Sequence, residues 1–479
     1  MSYDITIIGA GLMGNAIARE LSKYKIDVAV IEKNPDLYGM SSKASSAIVH
    51  SGFHQKPGTL KAKLGVESNI LFPSLCNELD VPFKRLGSLS LALNEDDMKI
   101  LEFQKRQGEI NGVKNLKIVQ LEELKKMEDN ISSEVIAALY SPMCGIVSPY
   151  ELAIAYMENA IENGVKIFIE NPVIKIEKIN KEWLVRTTKR EIRTKYIINC
   201  AGIFADEISK LAGDDSFKII PLKGEEYILD RNVGNLVKHI IEIPSLGVFM
   251  MPTVHGNLMI GTNQVKTNKN DFRTTKEGFK NIFSKIQKVV SGILKEDIIT
   301  SFAGLRPTNN KSDDYIIEAP KKIDNFINVS IGSPGIFAAP AIARTVIDIL
   351  NNLGLILEEK EDYNRFRKAI VEFKSLTDDE KKEFINKDEK YGHVICRCET
   401  VTEGQIIEAI KRGTCTLDGI KYRTRAGMGR CQGGFCTSRI LKIMSRELGI
   451  SVTEITKKGG SSIIMPFKAK ELFREDKKK

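Results

Sequence analysis

The sequence is poor in aromatic residues and lacks long apolar stretches. It contains one tryptophan, and Phe, Trp and Tyr together make up 7% of its 479 residues. So few rings give no stacking platform, and we expect no nucleic-acid partner. The apolar stretches are short and broken by glycine, proline or charge, which argues against an integral membrane segment. The first residues lead into a predicted core strand rather than a signal peptide, so we expect a cytoplasmic protein that reaches membranes only through a partner.

Positive charge is concentrated at the C-terminal end. The formal net charge is +9, and residues 457–479 supply +5 of it, from eight basic and three acidic residues. This distribution predicts a solvated basic tail, residues 450–479, rather than a basic binding face over the whole protein.

Disulfides are not expected, because cytoplasmic thiols stay reduced. The eight cysteines are unevenly placed, and five of them lie within 41 residues: Cys396, Cys398, Cys415, Cys431 and Cys436. This crowding makes a metal or cluster site the first hypothesis for the region.

A glycine-rich motif lies near the N-terminus. A predicted strand at residues 4–8 runs into Gly9-Ala-Gly11-Leu-Met-Gly14, a helical pattern follows, and a second strand ends at Glu32. In G-x-G-x-x-G loops the glycines permit a tight turn, close approach of a pyrophosphate and close helix–strand packing. The helix N-terminus favours phosphate, and an acidic residue such as Glu32 can accept hydrogen bonds from ribose. The motif predicts a dinucleotide site without separating NAD from FAD.

Further segments distinguish these two cofactors. They are residues 39–46, residues 48–52, Asn199-Cys-Ala-Gly202 and Gly332-Ser-Pro-Gly-Ile336. With them, residues 3–352 resemble the glycerol-3-phosphate and L-2-hydroxyglutarate dehydrogenase branch of the D-amino-acid-oxidase-like FAD superfamily. The resemblance implies bound FAD, with contacts from Gly9, Gly11, Leu12, Met13, Gly14, Glu32, Lys33, Ser45, Ser46, Val173, Ala201, Gly202, Gly332, Gly335 and Ile336.

The clustered cysteines form two close pairs. Cys396-Arg-Cys398 is followed, after 32 residues, by Cys431-Gln-Gly-Gly-Phe-Cys436. Four such thiolates can bind one metal ion or a small iron–sulfur cluster. The surrounding sequence resembles a bacterioferritin-associated-ferredoxin-type [2Fe-2S] domain, which implies Cys396, Cys398, Cys431 and Cys436 as ligands. Zinc is the alternative, although C-x-C departs from the usual spacing of structural zinc sites.

Other residues of this region have two possible roles. The basic residues near the paired cysteines either raise the cluster potential or form a solvated face: Arg397, Lys421, Arg423, Arg425 and Arg430. The four remaining cysteines are interpreted as packed thiols: Cys76, Cys144, Cys200 and Cys415.

Candidate catalytic residues are few, since the chain has five histidines. Oxidation of an alcohol by flavin needs a base for the hydroxyl proton, and histidine suits that role. His50 is the first candidate, because the resemblance places its segment against the flavin, and His54 is the second. An inert packed histidine is the alternative for either. His255 and His393 are interpreted as structural. Arg306 matches the family's substrate-binding arginine and would bind an anionic group.

The expected fold is α/β. We expect a FAD-dependent oxidoreductase at residues 1–355, with a Rossmann-like FAD-binding part interleaved with a mostly antiparallel substrate part, and helical patterns over residues 67–130. A charged helical linker at residues 356–392, a small helical [2Fe-2S] domain at residues 393–449 and the basic tail complete the chain.

The overall pattern resembles the large subunit of anaerobic-type glycerol-3-phosphate dehydrogenases. This implies oxidation of glycerol 3-phosphate to dihydroxyacetone phosphate, with electrons passed through the cluster to a separate flavoprotein or quinone-linked subunit. His54-Gln55 stands where quinone-linked relatives carry Arg-Tyr, so L-2-hydroxyglutarate, another 2-hydroxy acid or a secondary amine stays open as substrate. A more distant alternative is an electron-relay or zinc-stabilised interaction subunit without its own substrate.

Overall fold

The computed structural model describes residues 2–470. These residues form two compact units, the first from residues 2–33 and 37–367 and the second from residues 34–36 and 368–470. The last part of the basic tail, residues 471–479 with Leu472 and Phe473, lies outside the described residues. Within residues 2–470, no helix is both long enough and apolar enough to span a bilayer.

Twenty of the strands in the described residues lie in the first unit and two lie in the second. The strands are β1 Ser2–Ile8, β2 Val28–Ile31, β3 Ile48–Val49, β4 Phe83–Arg85, β5 Ser88–Ala92, β6 Lys117–Gln120, β7 Ala137–Ser141, β8 Gly145–Val147, β9 Lys166–Phe168, β10 Val173–Ile179, β11 Glu182–Thr187, β12 Glu191–Asn199, β13 Ile219–Leu229, β14 Ile240–Ile243, β15 Val248–Pro252, β16 Leu258–Gly261, β17 Val265–Lys266, β18 Ile298–Asn309, β19 Ile316–Glu318, β20 Phe326–Ser330, β21 Val394–Cys396 and β22 Val401–Thr402.

The α-helices are α1 Leu12–Leu21, α2 Met40–Lys43, α3 Leu60–Glu78, α4 Glu95–Ile110, α5 Leu121–Met127, α6 Pro149–Glu162, α7 Ala205–Leu211, α8 Lys276–Ile286, α9 Ala339–Asn352, α10 Asp378–Lys387, α11 Glu403–Lys411, α12 Leu417–Thr424 and α13 Thr437–Leu448. The expected α/β class is confirmed.

A sheet with a parallel centre carries the glycine motif. Its strand order is β10-β11-β12-β1-β2-β9, and β20 joins the edge of β12. Strand β2 is buried along its whole length, as its unbroken Val28-Ala-Val-Ile31 run predicts for a strand covered on both faces. Since β1, β2, β12 and β20 are parallel neighbours, their carboxyl ends meet at one edge of the sheet.

The second large sheet of this unit is mostly antiparallel. Its order is β17-β13-β16-β15-β14-β5-β7-β6, with β18 paired along nearly all of β13. Residues 254–257 form a turn between β15 and β16, with the Thr253 amide donating to the Asn257 carbonyl. One face of this sheet packs into a core with α8, in which Tyr227, Met250 and Ile260 are buried.

Helices α3, α4 and α5 dominate residues 67–130, as expected, and the short strands β4, β5 and β6 lie between them, paired with β7, β8 and β14. One expectation needs correction. The charged segment before the cysteine-rich region is α-helical only at α10, where Thr377 and Glu380 form a capping box, and it has short 3-10 helices at Phe373–Ser375 and Glu389–Gly392. Residues 358–372 contain no helix, since their polar sequence lacks an apolar face to pack.

The second unit has a small core of its own. Ile406 of α11, Ile420 of α12 and Met444 of α13 are fully buried in it. Asp36 also belongs to this unit. Its carboxylate lies 2.7 Å from Arg423 Nη2 and accepts a 2.8 Å hydrogen bond from Thr414 Oγ1, so residues 34–36 are held by a buried ion pair.

Candidate functional site

The loops that follow β1, β2, β12 and β20 lie at one edge of the parallel sheet. Gly9 donates its amide hydrogen to Ile31 and Cys200 donates to Ile8, which aligns the ends of the first three strands. These loops carry Gly9, Glu32, Ala201 and Gly332. In open α/β sheets, ligands bind in the crevice outside the carboxyl ends of the strands.

The glycine motif has the geometry of a phosphate loop. Gly9 has φ +107°, and a methyl group on Gly14 would lie 1.9 Å from the Gly9 carbonyl oxygen. A methyl group on Gly11 would instead meet only Ser42 Oγ, at 3.5 Å. Helix α1 starts at Leu12 with no acidic residue in its first turn, and the Leu12 amide donates a 2.9 Å hydrogen bond to Ser42 Oγ. No acidic side chain of this turn therefore opposes an anion in front of the helix.

The other residues implied for the cofactor lie on several elements of the first unit. Glu32 is buried, and its Oε2 accepts a 2.7 Å hydrogen bond from the Ala10 amide. Lys33 Nζ lies 3.4 Å from the ring centroid of Phe204, which follows Ala201-Gly202. Leu12 and Met13 form the first turn of α1, Ser45 and Ser46 follow α2, Val173 begins β10, and Gly332, Gly335 and Ile336 precede α9.

Alanine at Gly14 and alanine at Gly11 are expected to have different effects on stability and on flavin binding. Gly14→Ala places a methyl group against backbone that cannot move, so we expect a lower melting temperature together with loss of flavin. Gly11→Ala leaves the fold intact, because its methyl group meets only a serine hydroxyl, but occupies the space in front of the helix. Thermal unfolding and flavin content of both purified variants test this. Equal melting temperatures for the two would contradict it.

A row of residues crosses the antiparallel sheet on the face opposite its main core. Cross-strand pairing aligns Ser90, Glu242, Phe249, Gly261, Glu226 and Phe302 on β5, β14, β15, β16, β13 and β18. Directly paired residues point to the same face. Gly261 makes room in this row, since a methyl group there would lie 2.7 Å from Glu226 Cγ and 3.0 Å from the Phe249 ring. Two carboxylates therefore share one sheet face.

One end of the row meets the two candidate histidines. His54 Nε2 lies 3.3 Å and His50 Nδ1 3.8 Å from oxygens of the Glu242 carboxylate. Burial lowers the pKa of His50 to about 4, so its ring is neutral at pH 7. Burial alone would raise the pKa of Glu242, but His54 and His50 outweigh that effect and hold it below its ordinary value. A neutral imidazole beside an ionised carboxylate can accept a proton.

His50 also lies beside the segment implied to face the flavin. Its ring centroid is 5.8 Å from that of Phe337, which directly follows Ile336. His50 Nδ1 is buried and has no hydrogen-bond partner. By contrast, His255 pairs with Glu151 at 2.8 Å and His393 with Glu403 at 3.1 Å, which agrees with their structural interpretation.

The other end of the row meets the candidate anion anchor. Arg306 Nη2 donates a 3.1 Å hydrogen bond to Thr262 Oγ1 and lies 3.9 Å from Glu226 Oε1. Burial raises the pKa of Glu226 to about 7, although the charge of Arg306 opposes this shift. At neutral pH only part of the Glu226 population is ionised, so Glu226 neutralises the Arg306 charge only in part. The β13 and β14 backbones lie three strand spacings apart, about 14 Å.

The four paired cysteines come together in the second unit. Cys398 Sγ and Cys431 Sγ lie 3.7 Å apart. Cys396 ends β21 and Cys436 directly precedes α13; the hydrogen bond from the Cys436 thiol lowers the pKa of Cys396 to about 6. Each pair joins one cysteine of the first motif to one of the second. Cys396 and Cys436 are buried, whereas Cys398 is exposed and Cys431 is half-buried.

This pairing bears on the choice between zinc and an iron–sulfur cluster. A tetrahedral zinc site would place all four sulfurs within about 3.8 Å of one another. No three of the four thiols lie that close together: among the residues that the structure describes, the one set of three possible metal ligands within 4.8 Å of one another is His50, His54 and Glu242. The thiols thus form two pairs, as a binuclear cluster requires.

The remaining cysteines and the nearby basic residues divide into buried and exposed groups. Cys76, Cys144 and Cys200 are buried as expected, but Cys415 is exposed, so its interpretation as a packed thiol is wrong. Arg423 and Arg425 form buried ion pairs with Asp36 and Glu399. Arg397 and Arg430 are exposed, so the five basic residues do not form one continuous solvated face.

Comparison with known proteins decides the family. Residues 4–349 match the family model described as FAD dependent oxidoreductase. The chain belongs to the FAD-dependent oxidoreductase family. Residues 394–446 match the BFD-like [2Fe-2S] binding domain. This member of the family is an enzyme with FAD and a [2Fe-2S] cluster as cofactors, which confirms both expected cofactors.

Individual relatives cover either the whole chain or the first unit. Glycerol 3-phosphate dehydrogenase of Caloramator mitchellensis is 48% identical over 97% of this chain and 98% of its own length. Glycerol 3-phosphate oxidase of Mycoplasma genitalium is 31% identical over 76% of this chain and 97% of its own length. A structure of dithionite-reduced L-alpha-glycerophosphate oxidase from Mycoplasma pneumoniae with FAD bound matches with a TM-score of 0.73 and 27% identity, covering 77% of this chain and 98% of that one.

The residues present fit both cofactors. The space in front of Gly11, the start of α1 without acidic side chains and the buried Glu32 suit a dinucleotide, and four thiols in two pairs suit a binuclear cluster. Sequence reasoning missed Glu226 and Glu242. The available signal was a single glutamate within the otherwise apolar segment Ile240-Ile-Glu-Ile243, because a charge in a buried strand usually has a function.

Proposed function

We propose that the protein is a glycerol-3-phosphate dehydrogenase that passes electrons from the substrate through its cluster to a separate redox partner. The observation that carries this proposal is the relative with that activity in its name, which is 48% identical across both the oxidoreductase and the cluster regions. The electrostatics of the sheet face support it, because a cationic anchor and a neutral histidine lie on the same side.

The loops at the edge of the parallel sheet would hold FAD. Gly9, Gly11 and Gly14, with the start of α1, would bind the pyrophosphate, and Glu32 the adenosine ribose. The implied residues after β12 and β20 would line the rest of the cofactor. When bound, FAD supplies a two-electron acceptor for the hydride of an alcohol carbon.

His50 and Arg306 would have different roles toward the substrate, one as a base and the other as an anion-binding group. Arg306, oriented by Thr262, would bind the phosphate group with parallel N–H donors. His50 would accept the proton of the hydroxyl group, and Glu242 would stabilise the resulting imidazolium. His54, on the other oxygen of Glu242, would hold that carboxylate in place. Cys396, Cys398, Cys431 and Cys436 would be the cluster ligands.

An anaerobic spectral titration tests the function. We expect the flavin absorbance of the purified protein to bleach on addition of glycerol 3-phosphate, above the persistent absorbance of the iron–sulfur cluster. L-2-hydroxyglutarate and a secondary amine are the comparison substrates, because a carboxylate could also bind Arg306. Bleaching by one of these, with no response to glycerol 3-phosphate, would reject the proposed substrate and keep the scaffold.

Replacing Arg306 with alanine is expected to raise the KM for glycerol 3-phosphate about 100-fold, because a charge-assisted phosphate contact of this kind contributes about 3 kcal/mol. Arg306→Lys should be intermediate, as it keeps the charge but not the paired donors. The matched control is Arg273→Ala, since the Arg273 side chain is 85% exposed and pairs with Asp271. Steady-state kinetics with an artificial acceptor measure this; an unchanged KM would remove Arg306 from the site.

Glu226 makes substrate affinity depend on pH. Below its pKa of about 7 the side chain is neutral and leaves the Arg306 charge to the substrate; above it the carboxylate competes for that charge. We therefore expect the KM to rise severalfold between pH 7 and about pH 8.5. Glu226→Gln, which stays neutral, should remove this rise. A KM that increases equally in both proteins would show that Glu226 does not face the anchor.

A further inference from the structure

The segments that carry the paired cysteines have charge of one sign. Residues 394–398 and 427–442 together contain four basic residues, Arg397, Arg430, Arg439 and Lys442, and no acidic residue. All four are exposed. The acidic residue nearest in sequence, Glu399, is buried and bonded to Arg425, so it does not offset them. All the charged side chains that these two segments expose are therefore positive.

An exposed aromatic side chain lies within the second of these segments. Phe435 is 82% exposed and stands between Cys431 and Cys436, whereas the next apolar residues, Ile440 and Leu441, are buried in the core of the unit. Aromatic residues and arginine are the side chains enriched in protein interfaces. We name Arg397, Arg430, Phe435, Arg439 and Lys442 the cluster-loop face.

We propose that the cluster-loop face is the docking surface for an acidic one-electron carrier protein. This inference rests on the proposed function and adds the chemistry of the partner to it. Cys398 and Cys431, the less buried thiols, belong to the same loops, so a carrier seated here has a short path from the cluster. Each two-electron oxidation of substrate would reduce two carrier molecules by one electron each.

Electrostatics give this surface a kinetic signature. Opposite charges steer encounter, and the effect weakens as salt shortens the Debye length from about 30 Å at 0.01 M to about 10 Å at 0.1 M. Interfaces for electron transfer are small, so a few charges and one aromatic residue suffice. The rate of transfer to an acidic carrier should fall with salt, and the rate to a basic carrier should not.

Two cytochromes of opposite charge serve as probes. The full-length holoenzyme is titrated with dithionite to full reduction without excess, and mixed anaerobically with the acidic soluble domain of cytochrome b5 or with basic cytochrome c. We expect the rate constant for cytochrome b5 to fall about tenfold between about 20 and 300 mM NaCl, and that for cytochrome c not to fall. Dithionite loads the enzyme whatever its substrate, so this result stands apart from the glycerol 3-phosphate titration.

Charge reversal locates the effect. Arg439→Glu, and Lys442→Glu as a second variant further from the ligands, should lower the low-salt rate with cytochrome b5 about tenfold and flatten its salt dependence. Phe435→Ser should lower the rate at every salt concentration. The control is Lys382→Glu, the same charge change at a lysine that is 74% exposed on α10. Iron and sulfide content confirm an intact cluster. Unchanged salt dependence in both charge-reversal variants, or faster low-salt transfer to cytochrome c, would overturn the proposal.

Discussion

Cys431→Ser is expected to abolish electron transfer to an external carrier while flavin reduction by substrate stays within about twofold of wild type. Serine removes one of the four thiolates that a [2Fe-2S] cluster needs. Cys431 lies in the second unit, whereas the glycine loop, His50 and Arg306 all lie in the first. Anaerobic stopped-flow measurements follow the flavin step, and reduction of an added carrier follows the second step.

The matched control for this prediction is Cys415→Ser. Cys415 belongs to the same unit, is exposed, and stands outside both cysteine pairs, so it undergoes the same substitution without loss of a predicted ligand. We expect normal cluster content and normal transfer. If Cys431→Ser instead transferred electrons at the wild-type rate, or if the wild-type protein carried zinc in place of iron, the relay through this site would be rejected.

His50→Asn is expected to slow flavin reduction by glycerol 3-phosphate by a factor of about 10² to 10⁴, the range that general bases contribute. Asparagine keeps a polar side chain of similar size but cannot accept the hydroxyl proton. Since the pKa of His50 is about 4, its ring is neutral across the working range. The wild-type rate should therefore fall on the acidic side only below about pH 5.

Two further variants separate this role from packing. His255→Asn is the control, because that histidine also pairs with a glutamate, Glu151, but lies outside the sheet-face row. It should retain the wild-type rate. Glu242→Gln should reduce the rate less than His50→Asn does, since it removes only the charge beside the base. A rate for His50→Asn equal to that of His255→Asn would show that His50 is an inert packed histidine.

The local parts of the fold could be predicted from the sequence. The glycine motif is recognisable within the first 32 residues, although Ser42 and Cys200 also contact its loop, and the turn at residues 254–257 depends on neighbouring backbone groups. The cluster site could also be predicted, because four thiols in two close pairs bind only a few kinds of metal ion or cluster. Helix α10 also has a local signal, because its capping box joins Thr377 and Glu380, three residues apart.

The parts that depend on long-range pairing could not be predicted. Glu242 meets His50 and His54 only because β14 pairs with β5 and β15, and nothing near Glu242 in sequence specifies that register. Glu226 lies beside Arg306 because β13 pairs with β18, about 80 residues later. Strands β4 and β6 were missed because short, charge-flanked strands have little signal of their own and are stabilised by partners far along the chain.

The buried pair between Asp36 and Arg423 has a consequence for modularity. Asp36 comes four residues after Glu32, yet its carboxylate is bonded to Arg423 and Thr414 from the C-terminal part of the chain. A chain cut after residue 367 would keep Asp36 but lose both of these partners. The second unit is therefore discontinuous in sequence, and residues 368–470 expressed alone would lack the carboxylate that pairs with Arg423.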